Sequence, residues 1–407
     1  MSGSMGRDAG QGTSRTREAD AGQTGRNIQA RRLPQRRRSV PVQDSLGRGL
    51  VDLRISVTDR CNLRCPYCMP KELFGPDHAY LARSDLLSFE ELARVARVFA
   101  DLGVRKIRLT GGEPLLRRDL EHLVEKLASI DGIEDIAMTT NGMLLAAKAR
   151  RLADAGLNRV TVSLDSLDDE VFAKMNGTGA AVARVLAGID AAESSGLSPI
   201  KVNCVVKRNV NESSILEMAR HFHGTGHILR FIEYMDVGTT NGWRLADVVP
   251  AGEILSLVDT ELPLAPIDDE HRSGVATRYR YRDGGGEIGV IASVTSPFCA
   301  TCTRARLSAE GMLFTCLFAS DGFDLKTPVR SGATSRELER TILDIWARRA
   351  DRYSEIRSAC PAVIHGETTT GDSVSEHGRD VPCAGQAPPP TAVVLGHPRR
   401  EMSYLGG

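Results

Sequence analysis

Between residues 52 and 234 the apolar positions switch repeatedly between a period of two and a helical period. Asp52-Leu-Arg-Ile-Ser-Val-Thr58 alternates as a half-buried strand does. Ser88-Phe-Glu-Glu91 then supplies a capping box, and helical spacing runs on to Gly103. Further strands are predicted at 104–110, 134–139, 159–165, 199–206 and 228–234. Helices are predicted near 117–128, 144–155, 168–175, 180–195 and 212–222. Strands alternating with helices imply right-handed parallel crossovers. Six such units, read from the pattern of this chain, fall short of the eight that close a TIM barrel. The expected fold is α/β: an incomplete TIM-type (β/α)6 barrel, open on one side.

The rest of the chain divides around that repeat. Residues 1–45 are rich in Gly, Ser, Gln and Arg and poor in large apolar groups, so they are expected to be a disordered basic tail. The barrel is placed at 46–240 and a C-terminal domain at 241–357, with strand-like pieces around 277–294 and a helix near 334–349. Residues 358–395 read as a disordered insertion, and 396–407 as a C-terminal tail ending in Gly-Gly. A formal net charge of zero argues against a nucleic-acid partner, although Arg31-Arg32 and Arg36-Arg37-Arg38 form a local basic run. No long apolar stretch or secretory signal is present, so a cytoplasmic protein away from membranes is expected.

Nine cysteines change the picture, because six of them fall into two triplets. Cys61, Cys65 and Cys68 sit within eight residues; Cys299 and Cys302 are followed by Cys316. Disulfide frameworks belong to small secreted domains, so clustered thiols here favour metal sites in a reducing compartment. A structural zinc normally closes with four ligands. No His lies between 272 and 364, and only distant His227, His271, Cys204 or Cys360 could complete a zinc site at the second triplet. Iron–sulfur clusters also take thiolates; a cubane held by three leaves one iron open for chemistry. Cys204, Cys360 and Cys383 have no partner at useful spacing. Gly111-Gly-Glu-Pro114 follows the second strand, where glycine allows a ligand to approach the backbone. Lys106, Arg108, Lys201 and Arg230 put charge inside apolar strands. Charge under helices is costly without partners, so these side chains are assigned to the lumen.

The spacing Cys61-x-x-x-Cys65-x-x-Cys68, with Tyr67 before the last thiol, resembles radical S-adenosylmethionine (SAM) enzymes. The second triplet, Thr303-Arg304-Ala305-Arg306 after it, and the terminal Gly406-Gly407 resemble one family among them. That family is the GTP 3′,8-cyclases of molybdenum cofactor biosynthesis, and the likeness covers roughly 46–357 and 398–407. The resemblance implies two [4Fe-4S] clusters, held by Cys61, Cys65 and Cys68 and by Cys299, Cys302 and Cys316. It implies SAM contacts from Tyr67, Gly112, Ser163 and Met235. It implies GTP contacts from Arg54, Arg108, Thr139, Lys201, Arg304, Ala305 and Arg306, with Arg54, Arg304 and Arg306 catalytic. The implied reaction cyclises GTP to (8S)-3′,8-cyclo-7,8-dihydroguanosine 5′-triphosphate through a 5′-deoxyadenosyl radical. Also implied are an electron donor and a functional handover to cyclic pyranopterin monophosphate synthase; a homodimer is left open. Two other readings compete: a radical SAM enzyme modifying a peptide, and a zinc-dependent nucleic-acid-binding module using the basic tail.

Overall fold

The computed structural model describes residues 41–238, 241–268, 274–359 and 404. The alternating stretches are strands and the amphipathic ones helices. The chain begins β1 (Asp52–Ser56), α1 (Phe89–Asp101), β2 (Lys106–Thr110), α2 (Leu120–Ala128), β3 (Asp135–Thr140), α3 (Leu145–Asp154) and β4 (Arg159–Ser163). It continues α4 (Asp169–Asn176), α5 (Val182–Ser194), β5 (Lys201–Val206), α6 (Ile215–Phe222) and β6 (Ile228–Glu233). Next come α7 (Ala251–Asp259), β7 (Leu264–Pro266), β8 (Thr277–Tyr281) and β9 (Glu287–Ile291). The last described elements are β10 (Arg304–Leu307), β11 (Met312–Phe314), β12 (Phe323–Asp324), α8 (Lys326–Arg330), α9 (Ser335–Ala347) and α10 (Tyr353–Ala359).

β1 to β6 lie in chain order and every neighbouring pair is parallel. The residues read as an extension do not form a separate sheet. β10 adds to β1 and β9 adds to β6, both parallel, one at each edge of the six. Antiparallel strands continue outward, so that a single twelve-stranded sheet runs from β12 to β7 without closing among the described residues. The expected open barrel is thus present, with a wider wall than its six repeats supply.

One strand face is apolar and meets the helices. Leu53 and Ile55, Ile107 and Leu109, Val160 and Val162, and Val202 and Cys204 are buried in the common core. Cys204 is therefore a small core residue, as its apolar strand suggests. The alternate set, including Arg54, Arg108, Ser163, Asn203 and Arg230, faces the lumen. α1 keeps its sequence-encoded start: the Ser88 hydroxyl accepts from the Glu91 N–H, and the Glu91 carboxylate accepts from Ser88. Its Leu92, Val95, Ala96 and Phe99 are buried against the sheet, each large side chain contributing about 1.5–3 kcal/mol. No helix among the described residues is long and apolar enough to cross a membrane. Residues 1–40, Cys360, Cys383, His271, the 361–395 stretch and Gly406-Gly407 lie outside the described residues. Residues 41–45, expected as part of a disordered tail, instead pack on the barrel, because Asp44 is buried between Arg48 and Arg349. Residues 358–359, expected as disordered insertion, belong to α10.

Candidate active site

The first thiol loop leaves the C-terminal end of β1 and is held on two flanks by backbone. On one, Gly112 N–H donates to Thr58 O at 2.9 Å and Glu113 N–H to Arg60 O at 2.8 Å. A Cβ on Gly111 would stand 2.4 Å from Thr58 O, and one on Gly112 2.2 Å from Arg60 O. These glycines are therefore required for backbone to meet backbone, and both also line the cavity described below. On the other flank, Arg64 N–H donates to Asn176 O at 2.9 Å. Gly177 there has φ +69°, and a Cβ would stand 2.1 Å from Arg64 O. The Arg64 guanidinium binds the loop from inside, donating to Cys61 O at 2.8 Å, Leu63 O at 2.8 Å and Phe74 O at 2.7 Å.

Three residues near this loop were not singled out from sequence. The buried Glu113 carboxylate accepts from Asn141 N–H at 2.7 Å, Thr140 Oγ1 at 2.8 Å and Leu115 N–H at 3.0 Å. Burial lifts its pKa to about 7. Asn141 in turn points its amide at Cys61 Sγ, 3.9 Å away, and at Asn62 Oδ1, 2.9 Å away. Tyr67 donates its hydroxyl to Asp165 Oδ2 at 2.8 Å, and burial lifts Asp165 to about 6. The signal available was position alone: Asn141 and Asp165 stand just beyond the ends of β3 and β4, where parallel-sheet sites gather.

The second thiol loop begins as a single 3₁₀ turn over Cys299–Thr301 and runs into β10. Arg48 donates to Cys299 O at 2.8 Å, while Arg349 donates to Cys302 O at 2.8 Å and to Thr315 O at 3.0 Å. Asp44 lies between the two guanidinia, 2.6 Å from Arg48 Nε and 3.0 Å from Arg349. Burial by itself would push the Cys302 thiol up, but Arg304, Arg349 and Arg306 bring it down to about 6.

Between the loops the register assembles a basic lumen. Arg54 pairs across the sheet with Arg306 on one side and Arg108 on the other. Arg108 donates to Thr139 Oγ1 at 3.2 Å and Thr161 Oγ1 at 3.1 Å. Arg230 donates to Asn203 Oδ1 at 2.7 Å, and its Nε is buried with no partner. Burial and then Arg108 and Arg159 lower Arg230 to about 9; burial and then Arg159 lower Arg108 to about 10. Burial, Arg306, Arg108 and Arg304 hold Arg54 well below its usual value. Cations crowded this way, with neutral hydroxyl and amide partners at Arg108 and Arg230, favour an anionic ligand.

A single cavity is lined by all six triplet cysteines, together with Arg54, Arg108, Arg230, Arg304 and Arg306. Tyr67, Gly112, Thr139, Ser163 and Met235 line the same space. Three residues picked from sequence do not. Lys106, at the start of β2, instead lies 3.9 Å from the Asp52 carboxylate. Ala305 is fully buried on the opposite face of β10, because it alternates with Arg304 and Arg306. Lys201 lies deeper in the barrel, two residues before the cavity-lining Asn203 on β5.

Comparison with known proteins agrees with this layout. Residues 55–222 match the Radical SAM superfamily, and residues 227–355 match the family described as Molybdenum Cofactor Synthesis C. The GTP 3′,8-cyclase of Acidothermus cellulolyticus is 53% identical over 371 residues, covering 90% of this chain and 99% of that protein. This chain belongs to the GTP 3′,8-cyclase family of radical SAM enzymes. The enzyme of that name from Staphylococcus aureus strain N315 is 49% identical over 319 residues, or 78% of this chain and 94% of that one. Among solved structures, Streptococcus suis SuiB bound to S-adenosylmethionine superposes with a TM-score of 0.53 at 16% identity, over 76% of this chain and 68% of that one. At that identity the likeness speaks for the fold.

Membership in a radical SAM family implies a [4Fe-4S] cluster and SAM, and the residues present fit them. The cysteines of both triplets are thiols. All three sulfurs of the first triplet line the one cavity, and burial pushes Cys65 up, with Cys68, Asp165 and Cys61 adding to it. Burial and Asp351 push Cys316 up to about 12, with Cys302 and Cys299 adding in the same way. Among the described residues no three Cys, His, Asp or Glu side chains converge tightly enough for a single metal ion. A cubane asks less of the geometry, since each thiolate binds a different iron, and a set made of thiolates alone suits iron–sulfur chemistry. Ser56, at the end of β1, donates to Tyr404 O at 3.2 Å, which brings the chain close to its last residue back to the barrel's active end.

Proposed function

We propose that this chain cyclises GTP to (8S)-3′,8-cyclo-7,8-dihydroguanosine 5′-triphosphate, the first step of molybdenum cofactor biosynthesis. The observation that carries this reading is the one cavity in which two thiol triplets face a common set of arginines. Cys61, Cys65 and Cys68 hold a [4Fe-4S] cluster that, when bound and reduced, supplies the electron that cleaves SAM to methionine and a 5′-deoxyadenosyl radical. Tyr67, Gly112, Ser163 and Met235 would hold SAM in this cavity, while Glu113 and Asn141 would brace the backbone beside the first triplet. Cys299, Cys302 and Cys316 would hold a second [4Fe-4S] cluster, whose open iron would anchor the purine.

The protein's own contribution is placement and charge. Arg54, Arg304 and Arg306 surround the ribose and phosphates and are the catalytic arginines. Arg108 and Thr139 orient the nucleotide, and Lys201 with Arg230 receives the far end of the triphosphate. Ala305 contributes only backbone. In overall balance the C3′–H bond breaks and its hydrogen goes to the adenosyl carbon, and the C3′–C8 bond forms as the C8=N7 π bond opens, leaving N7 to be reduced. One electron from a donor and one proton complete the guanine nitrogen. The resemblance also gives Gly406-Gly407 a supporting role in turnover. The enzyme works in the reducing cytoplasm, and its product goes on to cyclic pyranopterin monophosphate synthase.

The test is anaerobic incubation of the iron-loaded chain with SAM, dithionite and GTP. Cyclised nucleotide and 5′-deoxyadenosine are expected in equal amounts. 5′-Deoxyadenosine with no nucleotide product, but with hydrogen transfer from an added peptide, would instead favour the peptide-modifying reading.

A further inference from the structure

The second thiol loop is held by a buried ion arrangement that the proposed chemistry leaves without a role. Asp44 is 0% exposed at its side chain, Arg48 2% and Arg349 1%. Asp44 is itself pinned, accepting from the backbone N–H groups of Leu46 and Arg48 at 2.9 Å each. Arg349 lies over the Trp346 ring at 4.6 Å, and Trp346 donates to Arg48 O at 3.2 Å. A buried charge set of this kind is seldom more stabilising than apolar residues of the same shape. Stability alone therefore gives little reason to keep it. What sets it apart is where its remaining bonds land. Arg48 gives one to Asp351 O at 2.8 Å and Arg349 lies 3.6 Å from the Asp351 carboxylate; the others go to the carbonyls of Cys299, Cys302 and Thr315, the last one residue before Cys316. All three arms of the triplet are fixed through two guanidinia sharing one carboxylate.

We propose that Asp44, Arg48 and Arg349 form the positioning bracket of the second triplet: Asp44 sets both guanidinia, and these set the backbone that aims the three thiols into the cavity. None of the three touches substrate in this reading. The bracket also ties the segment before β1 to the segment after α9, so two distant parts of the chain must both be in place before the second site is complete. Groups that orient ligands without touching the metal govern how firmly it is held.

This inference rests on the second cluster proposed above, and the test separates the two. The full chain is prepared with Cys61→Ala, Cys65→Ala and Cys68→Ala, so that iron reports the second site alone. A complementary chain carries Cys299→Ala, Cys302→Ala and Cys316→Ala. Asp44→Asn, which keeps the carboxylate's shape without its charge, is introduced into each. Loss of iron to a chelator is followed by absorbance, and the dithionite-reduced state by electron paramagnetic resonance. At the second site Asp44→Asn is expected to speed iron loss by about 10- to 100-fold and to shift the resonance; at the first site both stay unchanged. An equal loss at both sites, or no change at the second, overturns the bracket. If Asp44→Asn does not fold, Arg48→Lys, which keeps the charge beside Asp44 and loses the fork reaching Cys299 O, is expected to act in the same direction, and unchanged retention overturns the proposal. A first-triplet-free parent that takes up no iron sinks the two-cluster reading, and the bracket with it.

Discussion

The loop of Cys61 to Cys68 is gripped by the barrel repeat itself: by Arg64 inside the loop, by the turn after β2 and by the end of α4. The loop of Cys299 to Cys316 is gripped by Arg48, 251 positions from Cys299, and by Arg349, 47 positions from Cys302. In the first case close backbone contacts do the holding, and glycines make them possible. In the second, charged side chains reach in from parts of the chain outside the repeat. The first loop thus inherits the rigidity of strand ends, while the second depends on long-range folding being complete. The electrostatic settings differ at one thiol. Burial raises Cys61 to about 11 in the first loop and Cys316 to about 12 in the second, whereas three arginines bring Cys302 down to about 6.

If the two loops divide the work as proposed, removing a thiol from each should fail differently. Cys65→Ala is expected to abolish both 5′-deoxyadenosine and cyclised nucleotide, down to background. Cys302→Ala is expected to abolish the nucleotide product while some SAM is still cleaved. Chromatography of one reaction mixture reads both. A Cys302→Ala chain that cyclised GTP at the parental rate would break the comparison, since the second loop would then serve only the fold.

A smaller effect sharpens the contrast in how the loops are held. Gly177→Ala puts a Cβ 2.1 Å from Arg64 O at a φ of +69°. Strain and crowding together should cost about 2 kcal/mol or more. It should lower the melting temperature and loosen iron at the first site, with the second site retained. Iron analysis in the two triplet-deleted chains checks this. Equal loosening at both sites would mean that the first loop is no more local than the second.

The same contrast explains what the sequence disclosed. Six β/α units were legible because Leu53, Ile55, Ile107 and Leu109 alternate under helices with strong caps such as Ser88 and Glu91. β10, β11 and β12 were not, because four, three and two residues are too few to display a period, and Arg304-Ala-Arg306 reads as a charged loop. The thiols announced themselves by spacing. Asp44, Arg48 and Arg349 did not, since each looks like an ordinary surface charge until the fold buries it. Gly112 shows the converse: it meets the backbone of Arg60 and also lines the cavity, so glycine records close approach without saying of what. Ala305 was carried along by the motif around it, and the two-residue period of β10 turns it away from the cavity.

The smallest expected effect concerns pH and distinguishes the nucleotide end of the cavity from the SAM end. Burial, then Arg230, Arg159 and Arg108, lowers Lys201 from 10.5 to about 7. In the free folded chain its charge is disfavoured, so between about pH 7 and 10.5 the unfolded chain binds more protons and stability rises with pH. A bound triphosphate reverses the preference, because its negative charge restores the ammonium and binding takes up a proton. GTP affinity should therefore weaken as pH rises above about 7, by at most about tenfold per unit for one linked proton. SAM, at the other end, should show no such slope. Calorimetry in two buffers of different ionisation enthalpy measures the proton uptake directly, and Lys201→Arg, which stays charged throughout, should remove it. A slope that survives Lys201→Arg would assign the proton to another group, and a slope shared by SAM would mean the lumen does not divide its two ligands by charge.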